Sequence, residues 1–154
     1  MTGAGSGIGA AIATKLGKCG YHVVVTDVDQ TSSATTAKRI DSAQAVKLDV
    51  TDPDDCERVV KAVVAEHERL EVRCSNAGVS KMQRFLDISP ADLKWKFDIN
   101  TFGVFYWGQS VARAMIELGA PDCIVNTASM TAKDGSVSFL ADYIANKFAV
   151  LGLT

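Results

Sequence analysis

Hydrophobic positions along this chain fall into short β-branched runs separated by stretches with helical spacing. Residues 10–16 are strong helix formers, and residues 21–27 form an apolar run that ends in the carboxylate of Asp27. Such a run predicts a strand covered on both faces. Residues 31–40 predict a helix and residues 45–50 a strand. Asp52-Pro53 has the form of an N-cap followed by proline at the first helical position. Val59, Val60, Val63, Val64 and His67 keep helical spacing after it, which places His67 at a helix edge. Residues 71–75 predict a further strand. Ser89-Pro90-Ala91-Asp92 is a capping pattern that opens a long helix over 91–118. That helix carries Trp95, Phe97, Ile99, Phe102, Val104, Phe105 and Tyr106, apolar nearly all round, and is expected to be buried on several sides. Residues 123–128 predict the last strand, 129–140 a loop, and a helix carries Tyr143 to the end of the chain. Strands alternating with helices imply right-handed crossovers and a doubly wound parallel sheet, an α/β fold in one domain over 1–154.

Composition narrows the function classes. At 154 residues, with 47% hydrophobic and 22% charged, the chain suits a single globular domain with its own core. A net charge of −2, with no basic block or interleaved aromatic stripe, argues against a nucleic-acid partner. No apolar run reaches the length of a membrane span, and no secretory leader pattern opens the chain. Cys19, Cys56, Cys74 and Cys123 are scattered, with only His22 and His67 to complement them. A metal site or disulfide framework is therefore not expected, and the thiols fit a reducing cytoplasm.

Two stretches carry candidate chemistry. The first is Thr2-Gly3-Ala4-Gly5-Ser6-Gly7-Ile8-Gly9 ahead of the first helix. Glycines there let backbone N–H groups and a helix N-terminus approach a pyrophosphate. Asp27 follows about twenty residues later, where an acid can accept hydrogen bonds from an adenosine ribose. A plain glycine-rich turn and a strand-end aspartate capping the next turn are the alternatives; the order glycines, helix, strand, acid favours the first reading. The second stretch is Ser129 with Tyr143-x-x-x-Lys147. Residues four apart share a helix face. Positive charge beside a phenol favours the phenolate, so Lys147 is expected to make Tyr143 a usable proton donor and acceptor near neutrality. A hydroxyl from Ser129 can converge on the same point. That chemistry suits carbonyl/alcohol interconversion.

Taken together, Thr2-Gly3-x-x-x-Gly7-x-Gly9, Asp49-Val50, Asn76-Ala77-Gly78, Asn100, Ser129 and Tyr143-x-x-x-Lys147 resemble the short-chain dehydrogenase/reductase family over the whole chain. The resemblance implies a Rossmann-like domain that binds NAD(P). Gly3, Gly7 and Gly9, with Ser6 and Ile8 between them, would shape the pyrophosphate loop, and Asp27 would hold the ribose. Asp49 and Val50 would flank the adenine, and Asn76, Ala77 and Gly78 would line the cofactor. Tyr143 would be the acid/base, Ser129 would hold the substrate oxygen, and Lys147 would bind the nicotinamide ribose. Asn100 would help a water relay protons from Lys147. By themselves, Asn100 also reads as a satisfied core amide, Ser129 as a loop hydroxyl and Asn76-Ala77-Gly78 as a turn.

A carboxylate at Asp27 accepts from a 2′-hydroxyl and repels a 2′-phosphate, so NAD is expected over NADP. The expected reaction is hydride transfer between NAD(H) and a secondary alcohol or ketone. A non-catalytic dinucleotide-binding module is the alternative, and a nucleotide-sugar epimerase or dehydratase fits the glycine spacing less well. Relative to the family, the sequence is expected to lack the strand leading into the glycine loop and the C-terminal substrate-binding part. Arg73 stands in the run before Asn76, where burial without a partner would be costly. The resemblance further implies dimers or tetramers built on the 91–118 and Tyr143 helices; an intrachain core is the other use of those faces.

Overall fold

The stretches read as strands form strands, and these pair in parallel. The structure is a computed structural model that describes residues 1–119, 123–135 and 137–154. Strand β1 (Val23–Asp27) lies beside β2 (Ala43–Lys47), with Val25 opposite Ala45. Strand β3 (Val72–Ser75) lies beside β4 (Cys123–Asn126), with Cys74 opposite Val125. Residues 1–4 join the two pairs. Thr26 N donates to Met1 O at 3.0 Å, Ala4 N to Thr26 O at 3.0 Å, and Thr2 N to Cys74 O at 3.1 Å. The order across the molecule is therefore β2, β1, residues 1–4, β3, β4.

Alternation along β1 sends side chains to two cores. Val23 and Val25 pack with Ala13 of α1 (Gly7–Lys18) and with Ala37, the last residue of α2 (Gln30–Ala37). Val24 faces the other way, against the cluster of Val59 and Val63 from α3 (Pro53–His67) and Trp107 and Val111 from α5 (Gly103–Leu118). Helices thus cover both faces, as a doubly wound sheet requires. Each fully buried valine contributes on the order of 1.5–3 kcal/mol relative to leaving it in water. Helix α3 starts where expected: the Asp52 carboxylate accepts from Asp54 N at 2.9 Å, with Pro53 at the first helical position.

The helix expected over 91–118 is interrupted. It begins at α4 (Pro90–Phe97), capped by Ser89, passes through a π-helical turn at Asp98–Phe102, and resumes as α5. A π-turn inserts an extra residue per turn and swings its side chains out of α-helical register. Here it turns Asn100 and Thr101 into the interior. The expected all-round burial is also corrected. Phe102 and Phe105 are 45% and 44% exposed and Trp95 is 41% exposed, so part of the surface of α4, the π-turn and α5 is open within this chain. Strand β2 begins and ends earlier than expected, so Leu48, Asp49 and Val50 follow it toward the open end of the sheet. Residues 129–140, expected as a loop, include the short helix α6 (Thr131–Asp134), and α7 (Ala141–Gly152) carries Tyr143.

Among the described residues no helix is long and apolar enough to cross a membrane, and no group of three or more His, Cys, Asp or Glu could hold a metal ion. All four cysteines are free. Cys19 and Cys123 are exposed, whereas Cys56 is buried and burial pushes its thiol up to about 12. Cys74 is buried too, and its thiol is likewise raised by burial. A thiol-disulfide reagent applied to the native protein is expected to label Cys19 and Cys123 promptly. Cys56 and Cys74 should react only after denaturant is added, because the reactive thiolate is suppressed at both. Mass spectrometry of the labelled peptides checks this.

Candidate active site

The glycine stretch turns at the open ends of β1 and β3 and locks onto the Asn76-Ala77-Gly78 segment. Thr2 Oγ1 accepts from Asn76 N at 3.1 Å and Ala77 N at 3.2 Å, and Asn76 Nδ2 donates to Gly3 O at 3.0 Å. Gly3 has φ +58°, and a Cβ there would sit 2.7 Å from Ala77 Cα. A Cβ on Gly9 would meet the Gly3 carbonyl oxygen at 2.0 Å. Any larger residue would therefore force α1 away from this junction. Ser6 occupies the N-cap of α1 without a side-chain capping bond, so the first-turn amides of the helix face the cleft.

Asp27, at the end of β1, is held in place by its neighbours. Its Oδ2 accepts from Gly5 N at 2.9 Å and its Oδ1 from Asp29 N at 3.2 Å. Both expected uses of this residue are thus compatible: it shapes the turn, and it borders the cleft. Asp49 accepts from Thr51 N at 2.9 Å and Thr51 Oγ1 at 2.7 Å, while its own N–H donates to Asp55 Oδ2 at 2.8 Å. These bonds fix Asp49 and Val50 on the wall opposite the glycines.

Helix α7 brings Tyr143 and Lys147 to the same cleft. Lys147 Nζ lies 5.8 Å from the Tyr143 ring centroid and donates to Thr127 O at 2.7 Å. Burial lowers the pKa of Lys147 from its ordinary value. Asn100 Oδ1 accepts from Val79 N at 2.7 Å, and its Nδ2 donates to Val79 O at 2.8 Å and to Asn146 Oδ1 at 3.1 Å. Asn100 and Lys147 both crowd Gly78, where a Cβ would be 3.1 Å from Asn100 Oδ1 and 3.7 Å from Lys147 Nζ. Ser129 Oγ accepts from Thr131 Oγ1 at 2.9 Å and Thr131 N at 3.3 Å.

The resulting cleft measures about 790 Å³. It collects Gly3, Ser6 to Gly9, Asp27, Asp49, Val50, the Asn76-to-Gly78 segment, Tyr143 and Lys147. Of the candidate site residues, Asn100, which is fully buried, and Ser129, which is half-buried, are not among those lining it. A donor-rich helix end, a carboxylate beside the glycine loop and a buried ammonium beside a phenol suit a dinucleotide.

Two residues that sequence reasoning passed over support this site. The Asp142 carboxylate accepts from Tyr143 N at 2.8 Å through one oxygen and from Lys96 Nζ through the other. Lys96, completely buried, also donates to Lys81 O at 2.9 Å and Gln83 Oε1 at 3.2 Å. Its three protons thus meet three acceptors, as a buried ammonium requires. The signal in the sequence was a lysine set between Trp95 and Phe97, and an acid directly before Tyr143. Neither names its partner, which lies 46 residues away.

Comparison with known proteins agrees with this geometry. The "short chain dehydrogenase" family profile matches residues 1–154. The chain is 34% identical over 160 residues to L-2,3-butanediol dehydrogenase of Corynebacterium glutamicum, covering 100% of this chain and 62% of the relative. It is 33% identical over 155 residues to galactitol 2-dehydrogenase of Agrobacterium fabrum, covering 100% of this chain and 60% of the relative. In solved structures, it superposes with TM-score 0.95 on a short-chain type dehydrogenase/reductase from Mycobacterium marinum, at 30% identity over 99% of this chain and 64% of the other. A metagenomic short-chain oxidoreductase in complex with NADP gives TM-score 0.91 at 31% identity, over 99% of this chain and 70% of the other. The chain spans about three-fifths of the length of the curated relatives it matches.

Proposed function

Because the chain belongs to the short-chain dehydrogenase family, we propose that the protein containing it oxidises a secondary alcohol, or reduces the ketone, with NAD(H). The observation that carries this reading is the convergence of Tyr143 and Lys147 on the cleft that holds the glycine loop and Asp27. When bound, the nicotinamide dinucleotide supplies the hydride acceptor or donor. The glycine loop and the α1 amides would hold its pyrophosphate, Asp27 its adenosine ribose, and Asp49 and Val50 its adenine edge. Lys147 spends one proton on Thr127 O and has two left for the nicotinamide ribose.

On oxidation Tyr143 Oη accepts the proton of the alcohol hydroxyl; on reduction it returns that proton to the ketone oxygen. The Lys147 ammonium stands 5.8 Å from the Tyr143 ring centroid, beside the group that handles the proton. Ser129 Oγ accepts from Thr131, which leaves its own hydrogen to donate to the substrate oxygen. Asn100 uses both amide protons on Val79 O and Asn146 Oδ1 and one of its two Oδ1 acceptor positions on Val79 N, so it holds Val79 and α7 in position and keeps one acceptor position for a proton-relay water. NAD is preferred to NADP because a carboxylate at Asp27 would face the 2′-phosphate of the latter. Exposed Phe102 and Phe105 on one helix and Phe148 and Leu151 on the other supply apolar faces for a homodimer or homotetramer. Four free thiols suit the cytoplasm.

The relatives are named as dehydrogenases or reductases of butanediol, diacetyl, galactitol and sorbitol, so small vicinal diols, acyloins and polyols head the substrate trial. Absorbance at 340 nm should rise when the protein containing this chain is given NAD and 2,3-butanediol or a hexitol. Cofactor binding without turnover on any secondary alcohol or ketone would instead support the dinucleotide-binding module.

A further inference from the structure

Helix α7 uses two of its stripes. Tyr143 and Lys147, four residues apart, line the cleft. Asp142 and Asn146, each one position earlier, stand about 100° away around the helix and meet α4 and the π-turn. The facing stretch is divided in the same way. Trp95, Asp98 and Ile99 line the cleft, whereas Lys96, Asn100 and Thr101 bond to α7. The same two stretches therefore build both the cleft and a buried polar seam.

The seam has two rungs. In the first, the Asp142 carboxylate accepts from Lys96 Nζ through Oδ2 and from Tyr143 N at 2.8 Å through Oδ1. In the second, Asn146 Oδ1 accepts from Asn100 Nδ2 at 3.1 Å, and Asn146 O accepts from Thr101 Oγ1 at 3.3 Å. Asn146 Nδ2 donates to Asp142 O at 2.9 Å and ties the rungs together. Lys96, Asn100 and Asn146 have no exposed surface, and Asp142 is 4% exposed. Lys96 to Asn100 and Asp142 to Asn146 are both steps of four, so the rungs occupy successive turns on either side.

We propose that Lys96, Asp142 and Asn146 are positioning residues: their seam fixes the register of α7, and with it the placement of Tyr143 and Lys147 at the cleft. This inference rests on the dehydrogenase reading of that cleft. Slid by one turn, α7 would bring Asn146 to the Lys96 ammonium and Val150 to the Asn100 amide. Lys96 would then lose its carboxylate and Asn100 a partner for Nδ2, in an interior where an unpaired charge is strongly destabilising. Buried polar partners select one register in a way that apolar contacts do not. None of the three residues lines the cleft, and each acts through a neighbour. Asp142 directly precedes Tyr143 and Asn146 directly precedes Lys147, so a shift of either rung passes to the cleft through one planar peptide unit. Lys96 also donates to Lys81 O at 2.9 Å, next to Ser80 on the cleft lining, which ties that wall to the first rung.

The test uses the protein containing this chain, with NAD and the trial diols and hexitols as substrates, and reads kcat and the NADH dissociation constant separately. Lys96→Met combined with Asp142→Leu removes the first rung without leaving a charge unpaired. It is expected to lower kcat by about 10- to 100-fold, the cost of a small misplacement of a reacting group. NADH affinity should stay unchanged, because the second rung still holds the turn that carries Lys147. Asn146→Leu removes the second rung and is expected to weaken NADH binding by roughly tenfold as well as lowering kcat. Circular dichroism and a cooperative urea transition establish that each variant is folded. Wild-type kcat in the folded double variant would overturn the role of Lys96 and Asp142. Wild-type NADH affinity in folded Asn146→Leu would overturn that of Asn146. If the double variant does not fold, the uncharged Asn146→Leu change decides alone, and unchanged kcat and NADH affinity in it would overturn the seam. A wild-type protein that turns over none of these alcohols overturns the dehydrogenase reading itself, and the positioning role with it.

Discussion

Replacing Tyr143 by phenylalanine is expected to lower kcat for NAD-linked alcohol oxidation by about 10²- to 10⁴-fold, the usual worth of a positioned acid/base. NADH affinity should be unchanged. The substitution removes one hydroxyl and keeps the ring, so α7 loses no packing. Lys147 keeps its bond to Thr127 O, which does not involve the tyrosine. The glycine loop and Asp27 are anchored to residues 76–77 and Gly5, also independently of Tyr143. Steady-state kinetics paired with a fluorescence titration of NADH separates the two effects. Turnover close to wild type in the Phe variant would remove Tyr143 from the chemistry.

The Lys96→Met substitution is expected to cost about 3–5 kcal/mol of folding stability, because it strands the Asp142 carboxylate in the interior. Asp142 is 4% exposed, and its Oδ1 holds the Tyr143 amide. Lys96 also ties down Lys81 O and Gln83 Oε1, so its loss frees the segment that crosses from the cleft wall to α4. Breaking one partner is the damaging event. A double substitution, Lys96→Met with Asp142→Leu, should recover much of the loss, since a buried pair replaced by apolar groups of similar volume is often neutral. Urea melts of the two single variants and the double variant measure this. A Lys96→Met loss under 1 kcal/mol would mean that the pair is hydrated or dispensable.

What could be read from the chain alone follows the range of the interactions. The strand at 23–27 announced itself through its β-branched run, and the α3 and α4 starts through Asp52-Pro53 and Ser89-Pro90, because these signals are local, whereas 72–75, Val-Arg-Cys-Ser, is marked only by its place before Asn76-Ala77-Gly78. The cleft was legible for the same reason: glycines, Asp27, Asn76-Ala77-Gly78 and Tyr143-x-x-x-Lys147 each sit at a strand end or helix start, and a parallel sheet gathers such ends on one side. Asn100 illustrates the limit. It lies in a π-turn, and its amide pairs with the Val79 backbone, 21 residues away. The pairing of Lys96 with Asp142 is longer in range still and leaves no periodicity to read. Arg73 was legible as an anomaly, but its partner, the Val104 carbonyl, lies 31 residues away and was not.

The central claim is that the cleft is a dinucleotide site whose selectivity is set by Asp27. The direct measurement is calorimetric titration of the 154-residue chain with NADH and, separately, with NADPH. The account expects NADH to bind and NADPH to bind more weakly, with Asp27→Asn narrowing the difference. Tighter binding of NADPH, or binding of neither, would contradict it.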